Sequence, residues 1–171
     1  MDISTLASVG TFIVIAATAV AAIIQLRHLR QSNQLNALLT ILRMPYDPVL
    51  HDSFEFVHAE LPDRLNDPDF MRLLDESPVN RKIHKELWVL DYYERLGSYL
   101  KGNLIDPAVY LDSSSPENFW NALKPVIKRM RGRGGPYIYE NFEYLVWLAQ
   151  QWDRQHPKGN YPSRGQRLSL D

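Results

Sequence analysis

From Leu6 to Leu26 no position carries a charge: LASVGTFIVIAATAVAAIIQL. At about 1.5 Å per residue this run makes about 30 Å of helix, the depth of a bilayer's hydrocarbon layer. Gln25 lies at its end, and Arg27, His28 and Arg30 follow, against Asp2 alone ahead of it. Lys and Arg are retained on the cytoplasmic side, so the pattern predicts a single pass with the N-terminus outside and the rest of the chain in the cytoplasm. Ala19-Val20-Ala21 has the form of a signal-peptidase site, but a signal peptide carries its positive charge ahead of the apolar run. An anchor is therefore the expected reading. Gly10, Ala17, Thr18, Ala21 and Ala22 supply small positions of the kind that let membrane helices approach closely, as in a homo-oligomer.

No helix breaker appears before Pro45, so one helix is expected from about Ser4 to Met44, projecting roughly 25 Å past the membrane. It should end before MPYDP, because a residue preceding proline avoids helical backbone. Beyond it, proline recurs one place after a capping residue: Asp47-Pro48, Asp67-Pro68, Ser77-Pro78, Asp106-Pro107 and Ser115-Pro116. Each pair predicts a helix start. Leu50, Phe54, Val57 and Leu61 form the apolar stripe of the first soluble helix. Ser77-Pro78 is expected to open the longest one, running to Lys101 and closed by Gly102, with Ile83, Leu87, Leu90, Tyr93 or Glu94, and Leu96 inward. A last helix is expected over about Glu140 to Gln155. The fold class is all-α: a transmembrane and juxtamembrane helix over 1–45, a helical cytoplasmic domain over 46–156, and a Pro-, Gly- and Ser-rich tail over 157–171 expected to be disordered.

Composition narrows this picture. The chain of 171 residues has no cysteine, which excludes disulfides, thiolate metal sites and cysteine nucleophiles. A formal charge of −1 supplies no global field for nucleic acid. All four Trp and most of the Tyr follow residue 87, so the aromatic core belongs to the second half.

The stretch Asp91-Tyr92-Tyr93-Glu94, the turn Lys101-Gly102-Asn103-Leu104-Ile105-Asp106, Trp120, and Asn141-Phe142-Glu143-Tyr144-Leu145 together resemble the DUF4760 family, over about residues 84–150 plus the anchor. The resemblance implies a small bacterial protein anchored in the inner (plasma) membrane, an all-helical fold and no assigned activity.

Three constellations are candidates for chemistry. His51, Glu55 and His58 stand at i, i+4 and i+7, sharing one helix face as a metal site requires. No second Glu-x-x-His exists to complete a di-metal bundle, so the set also reads as a solvated stripe. Glu86, Asp91, Glu94, Glu140 and Glu143 form an acidic set. Within it Glu94 and Glu143 are expected to pair with arginines such as Arg81, Arg95, Arg129 or Arg131, giving structural charge pairing and no catalysis. Lys124, Lys128, Arg129, Arg131 and Arg133 lead into Gly132-Arg133-Gly134-Gly135-Pro136, a candidate lipid or phosphate contact. It lacks the Gly-Lys-Ser/Thr ending of a P-loop and the aromatic interleaving of an RNA-binding surface. The same run also reads as the cationic C-terminus of a helix. Gly97 is expected at a close helix–helix approach, and the four Trp at core or interface positions.

The expected function is a non-enzymatic, membrane-anchored interaction or accessory protein with a protein partner or a second copy, without cofactor or nucleic acid. The alternatives are a metal-dependent hydrolase using the His51/Glu55/His58 face, and a sensor or effector tethered to anionic lipid.

Overall fold

The computed structural model describes residues 2–112, 114–157 and 159. Every regular element among them is helical: α1 Ile3–Arg43, α2 Pro48–Ala59, α3 Leu61–Arg64, α4 Pro68–Leu73, α5 Glu86–Lys101, α6 Pro107–Leu111, α7 Glu117–Gly134 and α8 Glu140–Gln155, with a 3-10 turn at Met44–Tyr46. The all-α class expected from the sequence is the one observed. The tail expected to be disordered lies, beyond Pro157 and Gly159, outside the described residues.

α1 is a single helix of 41 residues, long and apolar enough to cross a membrane. Its apolar window buries none of its residues against the described part of the chain, and Phe12, Val14, Ile15 and Val20 are exposed. The last turns behave differently. Ile41 is buried, Ala37 and Leu38 pack on the core, and the Gln34 side-chain amide donates to the Asn103 carbonyl at 3.5 Å. The far end of the projecting helix is thus a member of the domain and not a free stalk.

Aspartates close the starts of α2, α4 and α6 as the Asp-Pro pairs predict. Asp47 Oδ1 accepts from the Val49 and Leu50 amides at 2.9 and 3.3 Å, Asp67 Oδ1 from Asp69 N at 2.9 Å, and Asp106 Oδ1 from Ala108 N at 2.9 Å. The expectation for Ser77-Pro78 is corrected. That bond is cis, and helix α5 begins only at Glu86. Between them Asn80 holds a local turn: its Oδ1 accepts from Lys82 N at 3.0 Å, and its carbonyl from Ile83 N and His84 N at 3.1 and 2.9 Å. An Asn side chain offers the backbone these partners in competition with a helix. Ile83, expected inward, is consequently exposed.

α5 is the hub of the domain. Leu90, Leu96, Leu123, Val126, Phe142 and Leu145 are fully buried around it. Tyr93 and Phe142 stack with centroids 4.6 Å apart, and Trp120 meets Phe142 edge-on at 5.1 Å. The first turn of α8 follows Tyr139, a left-handed residue (φ 57) that makes no side-chain cap. It is met from α5: Glu94 accepts from the Phe142 backbone amide at 2.9 Å and from the Asn141 side-chain Nδ2 at 2.8 Å. A carboxylate at a helix N-terminus satisfies orphan donors and the positive end of the dipole together. Glu94 therefore makes no ion pair with an arginine among the described residues, against the sequence-based expectation, because the backbone of α8 reaches it first.

Burial around this hub holds four phenols neutral. Loss of water raises the ionisation of Tyr92, Tyr93 and Tyr139 well above the ordinary value, with neighbouring Tyr110 adding to it for Tyr92 and Tyr93, and Asp91 for Tyr139. Burial likewise pushes Tyr110 up to about 12, against the opposing Ser114 hydroxyl contact at 2.9 Å. A folded-state value above the unfolded one means that the native chain keeps protons that the unfolded chain loses, so stability falls as the pH rises above about 10. In a spectrophotometric titration these four are expected to ionise late, together with loss of helical circular dichroism. Complete tyrosinate formation near pH 10 with the helix signal intact would contradict this packing.

Candidate functional site

The three constellations singled out from the sequence fare differently. His51 Nε2 and Glu55 Oε1 lie 3.4 Å apart on the solvated side of α2, both largely exposed. His58 instead rests its ring against Phe119, 4.7 Å between centroids. The trio is on the surface but is not gathered, and no group of three ligating side chains occurs among the described residues.

Most of the basic run is engaged inside the domain. Arg129 forms a two-pronged contact with Asp75, through Nε at 3.0 Å and through Nη2, and this guanidinium holds the Asp75 carboxyl below its ordinary range. Arg131 donates to the Ile138 carbonyl at 2.9 Å and to Glu143 Oε2 at 2.7 Å. Arg133 donates to the Leu74 carbonyl at 2.7 Å, and Lys124 to Asn121 at 2.9 Å. Lys128 is exposed, with no such contact among the described residues. Gly132 and Gly134 are helical, and α7 ends at Gly134, just before Gly135, whose φ of 99° suits glycine. The run ties α7 to the Leu74–Asp75 segment and to α8 in place of forming an open cationic face.

The acidic set disperses to separate partners. Asp91 takes Arg81 at 2.6 Å, Glu140 takes Lys101 at 3.5 Å, Glu143 takes Arg131, and Glu94 the start of α8. Glu86 is fully buried and lies 2.7 Å from His84 Nδ1, also fully buried, under the ring of Phe70 at 4.3 Å. His84 Nε2 and Glu86 Oε2 have no hydrogen-bond partner among the described residues. The only trace of this pair in the sequence is a His-x-Glu at a helix start, too common a pattern to single out.

The sequence also hides a groove of about 620 Å³ where α1 joins the domain. Thr40, Arg43 and Met44 come from the end of α1 and the turn after it, Asp47, Val49 and Leu50 from the start of α2, and Trp88, Tyr92 and Arg95 from α5. The groove exists because Ile41 seats the end of α1 on the core, which brings Arg43 over the α5 face carrying Trp88 and Arg95. Its size falls in the usual range for small-ligand sites, about 300–1,000 Å³.

A profile of the family described as a domain of unknown function, DUF4760, matches residues 12–152. The chain belongs to the DUF4760 family. The match begins inside the apolar part of α1 and ends in α8, so the DUF4760 unit comprises the long helix and the domain together. No curated protein and no solved structure matches the chain. In this DUF4760 protein the residues that carry the resemblance build the α5–α8 joint: Glu94 caps α8, Tyr93 stacks on Phe142, Trp120 abuts it, and Asp106 caps α6. Tyr92, in the same motif, forms part of the groove wall.

Proposed function

We propose that this DUF4760 protein is a non-enzymatic, membrane-anchored interaction or accessory module, held by α1 in a bacterial inner membrane with its domain in the cytoplasm. The observation that carries the reading is the contrast along α1. Its apolar window is bare, as a lipid- or partner-facing helix requires, while its last turns are built into the domain. A partner that binds α1 in the membrane is thereby coupled rigidly to the domain below. Arg27, His28 and Arg30, following the apolar run, support the cytoplasmic placement of the domain.

The test is purification of the tagged full-length protein in mild detergent, beside a version whose residues 6–26 are replaced by an unrelated leucine–alanine membrane segment. One membrane protein, or a second copy, is expected to co-purify in fixed ratio with the native helix and to be lost with the replacement. Retention by both versions would place the contact on the domain. A partner-free monomer in both would overturn the reading.

A further inference from the structure

We infer that the groove between α1, α2 and α5 is a binding site for a soluble amphipathic organic anion, a phosphate monoester or carboxylate, clamped by Arg43 and Arg95 with its apolar body against Trp88. Elsewhere in the domain the guanidiniums are engaged: Arg72 with Asp69, Arg81 with Asp91, Arg129 with Asp75, Arg131 with Glu143, Arg133 with the Leu74 carbonyl, Arg154 with the Gln150 carbonyl, and Arg64 over the Phe70 ring. Arg43 and Arg95 make no such contact among the described residues, and both line the same groove. Arg43 has a local reason for its place, since a cation complements the C-terminal end of α1. Arg95 has none: it lies in the interior of α5, and the acid one turn before it, Asp91, is held by Arg81. Asp47, the acid in the lining, accepts the first amides of α2 through Oδ1. Two arginines against one engaged aspartate leave the groove cationic, and guanidinium forks match the oxygens of phosphate or carboxylate.

The apolar half of the site is fixed as firmly. Trp88 is partly exposed, and the Arg81 guanidinium lies 4.8 Å from its ring, held there by Asp91. The indole is thereby a set wall, with Met44 and Val49 beside it. A lipid headgroup is the wrong source for the anion. Thr40 and Arg43 stand 14 and 17 positions beyond Leu26, about 21–26 Å along the helix, whereas the headgroup layer adds only about 5–8 Å on each side. A tilt of about 40° still leaves the groove well outside it. Because Thr40, Arg43 and Met44 belong to the anchor helix and its end, an occupied groove would brace α1 against the domain.

The experiment is calorimetric titration of the full-length protein in nanodiscs with phenyl phosphate and phenylacetate, with inorganic phosphate and benzyl alcohol as the two halves of the ligand. Saturable one-site binding of at least one aromatic anion is expected, weaker binding of phosphate, and none of benzyl alcohol. Arg43→Gln and Arg95→Gln should each weaken it about tenfold or more, while Lys128→Gln should leave it unchanged. Both arginines are exposed, so the variants should keep the parent's circular dichroism and melting. Trp88→Leu should weaken phenyl phosphate more than inorganic phosphate. Nanodiscs containing phosphatidylglycerol should bind like those of phosphatidylcholine alone, and competition by the anionic lipid would overturn the soluble source. Absence of saturable binding by either aromatic anion, or binding indifferent to both arginine variants, would overturn the site.

Discussion

Gly97→Val is expected to cost this protein about 3–5 kcal/mol, a large share of the usual margin of about 5–15 kcal/mol. A β-carbon at Gly97 would stand 2.0 Å from the Asn141 carbonyl oxygen and 2.5 Å from its carbon, atoms of the α8 backbone that no side-chain rotation can clear. α5 and α8 would have to separate. Parting them breaks the two bonds from Glu94 to α8, at 2.8 and 2.9 Å, and opens the Tyr93–Phe142 stack. Gly97→Ala tests the same contact with a built-in opposing term, because alanine gains about 1 kcal/mol of helix propensity over glycine. A net loss in the alanine variant, despite that gain, is the signature of the close approach. Urea denaturation followed by circular dichroism reads both. Stability of the alanine variant equal to or above the parent would show that the helices are not in contact there.

Glu86→Ala and His84→Ala are the second large pair, each expected to destabilise by about 3 kcal/mol. Each removes one member of a fully buried contact and leaves the other without a partner in a dry setting against Phe70. His84 Nε2 and Glu86 Oε2, unpartnered among the described residues, make the pair a poor source of net stability even when intact. Hence a combined His84→Leu, Glu86→Leu variant is expected to lose much less than the sum of the single changes, because it removes both polar groups at once. A double-mutant cycle measures this directly. Additive losses would mean that the two side chains do not act as a pair.

The DUF4760 fold divides cleanly by the range of the forces involved. Local chemistry wrote itself into the sequence. The uncharged run to Leu26, the Asp-Pro helix starts at Asp47, Asp67 and Asp106 and the stop before Pro45 are each decided within one or two turns of chain, and each is recovered in the structure. Ser77-Pro78 fails by the same logic, since Asn80 supplies a competing local turn that a proline count does not weigh. The partners of charged side chains were legible only in part: Glu143 meets Arg131, one of the arginines expected for it, whereas Glu94 does not. A glutamate in an apolar stretch predicts a buried partner but not which one, and only the approach of α8 made it the amides of that helix's first turn for Glu94. The basic run read as a candidate lipid or phosphate contact because a sequence displays charges without the Asp75 and Leu74 groups that meet Arg129 and Arg133.

The sequence by itself determined that this protein has one long apolar helix, an all-helical domain and its place in the DUF4760 family, since periodicity, capping and motif residues act locally. Only the tertiary structure decided which arginines are left without a partner. That question depends on segments some fifty positions apart, residues 40–50 and 88–95, which burial of Ile41 and the α5 core brings face to face.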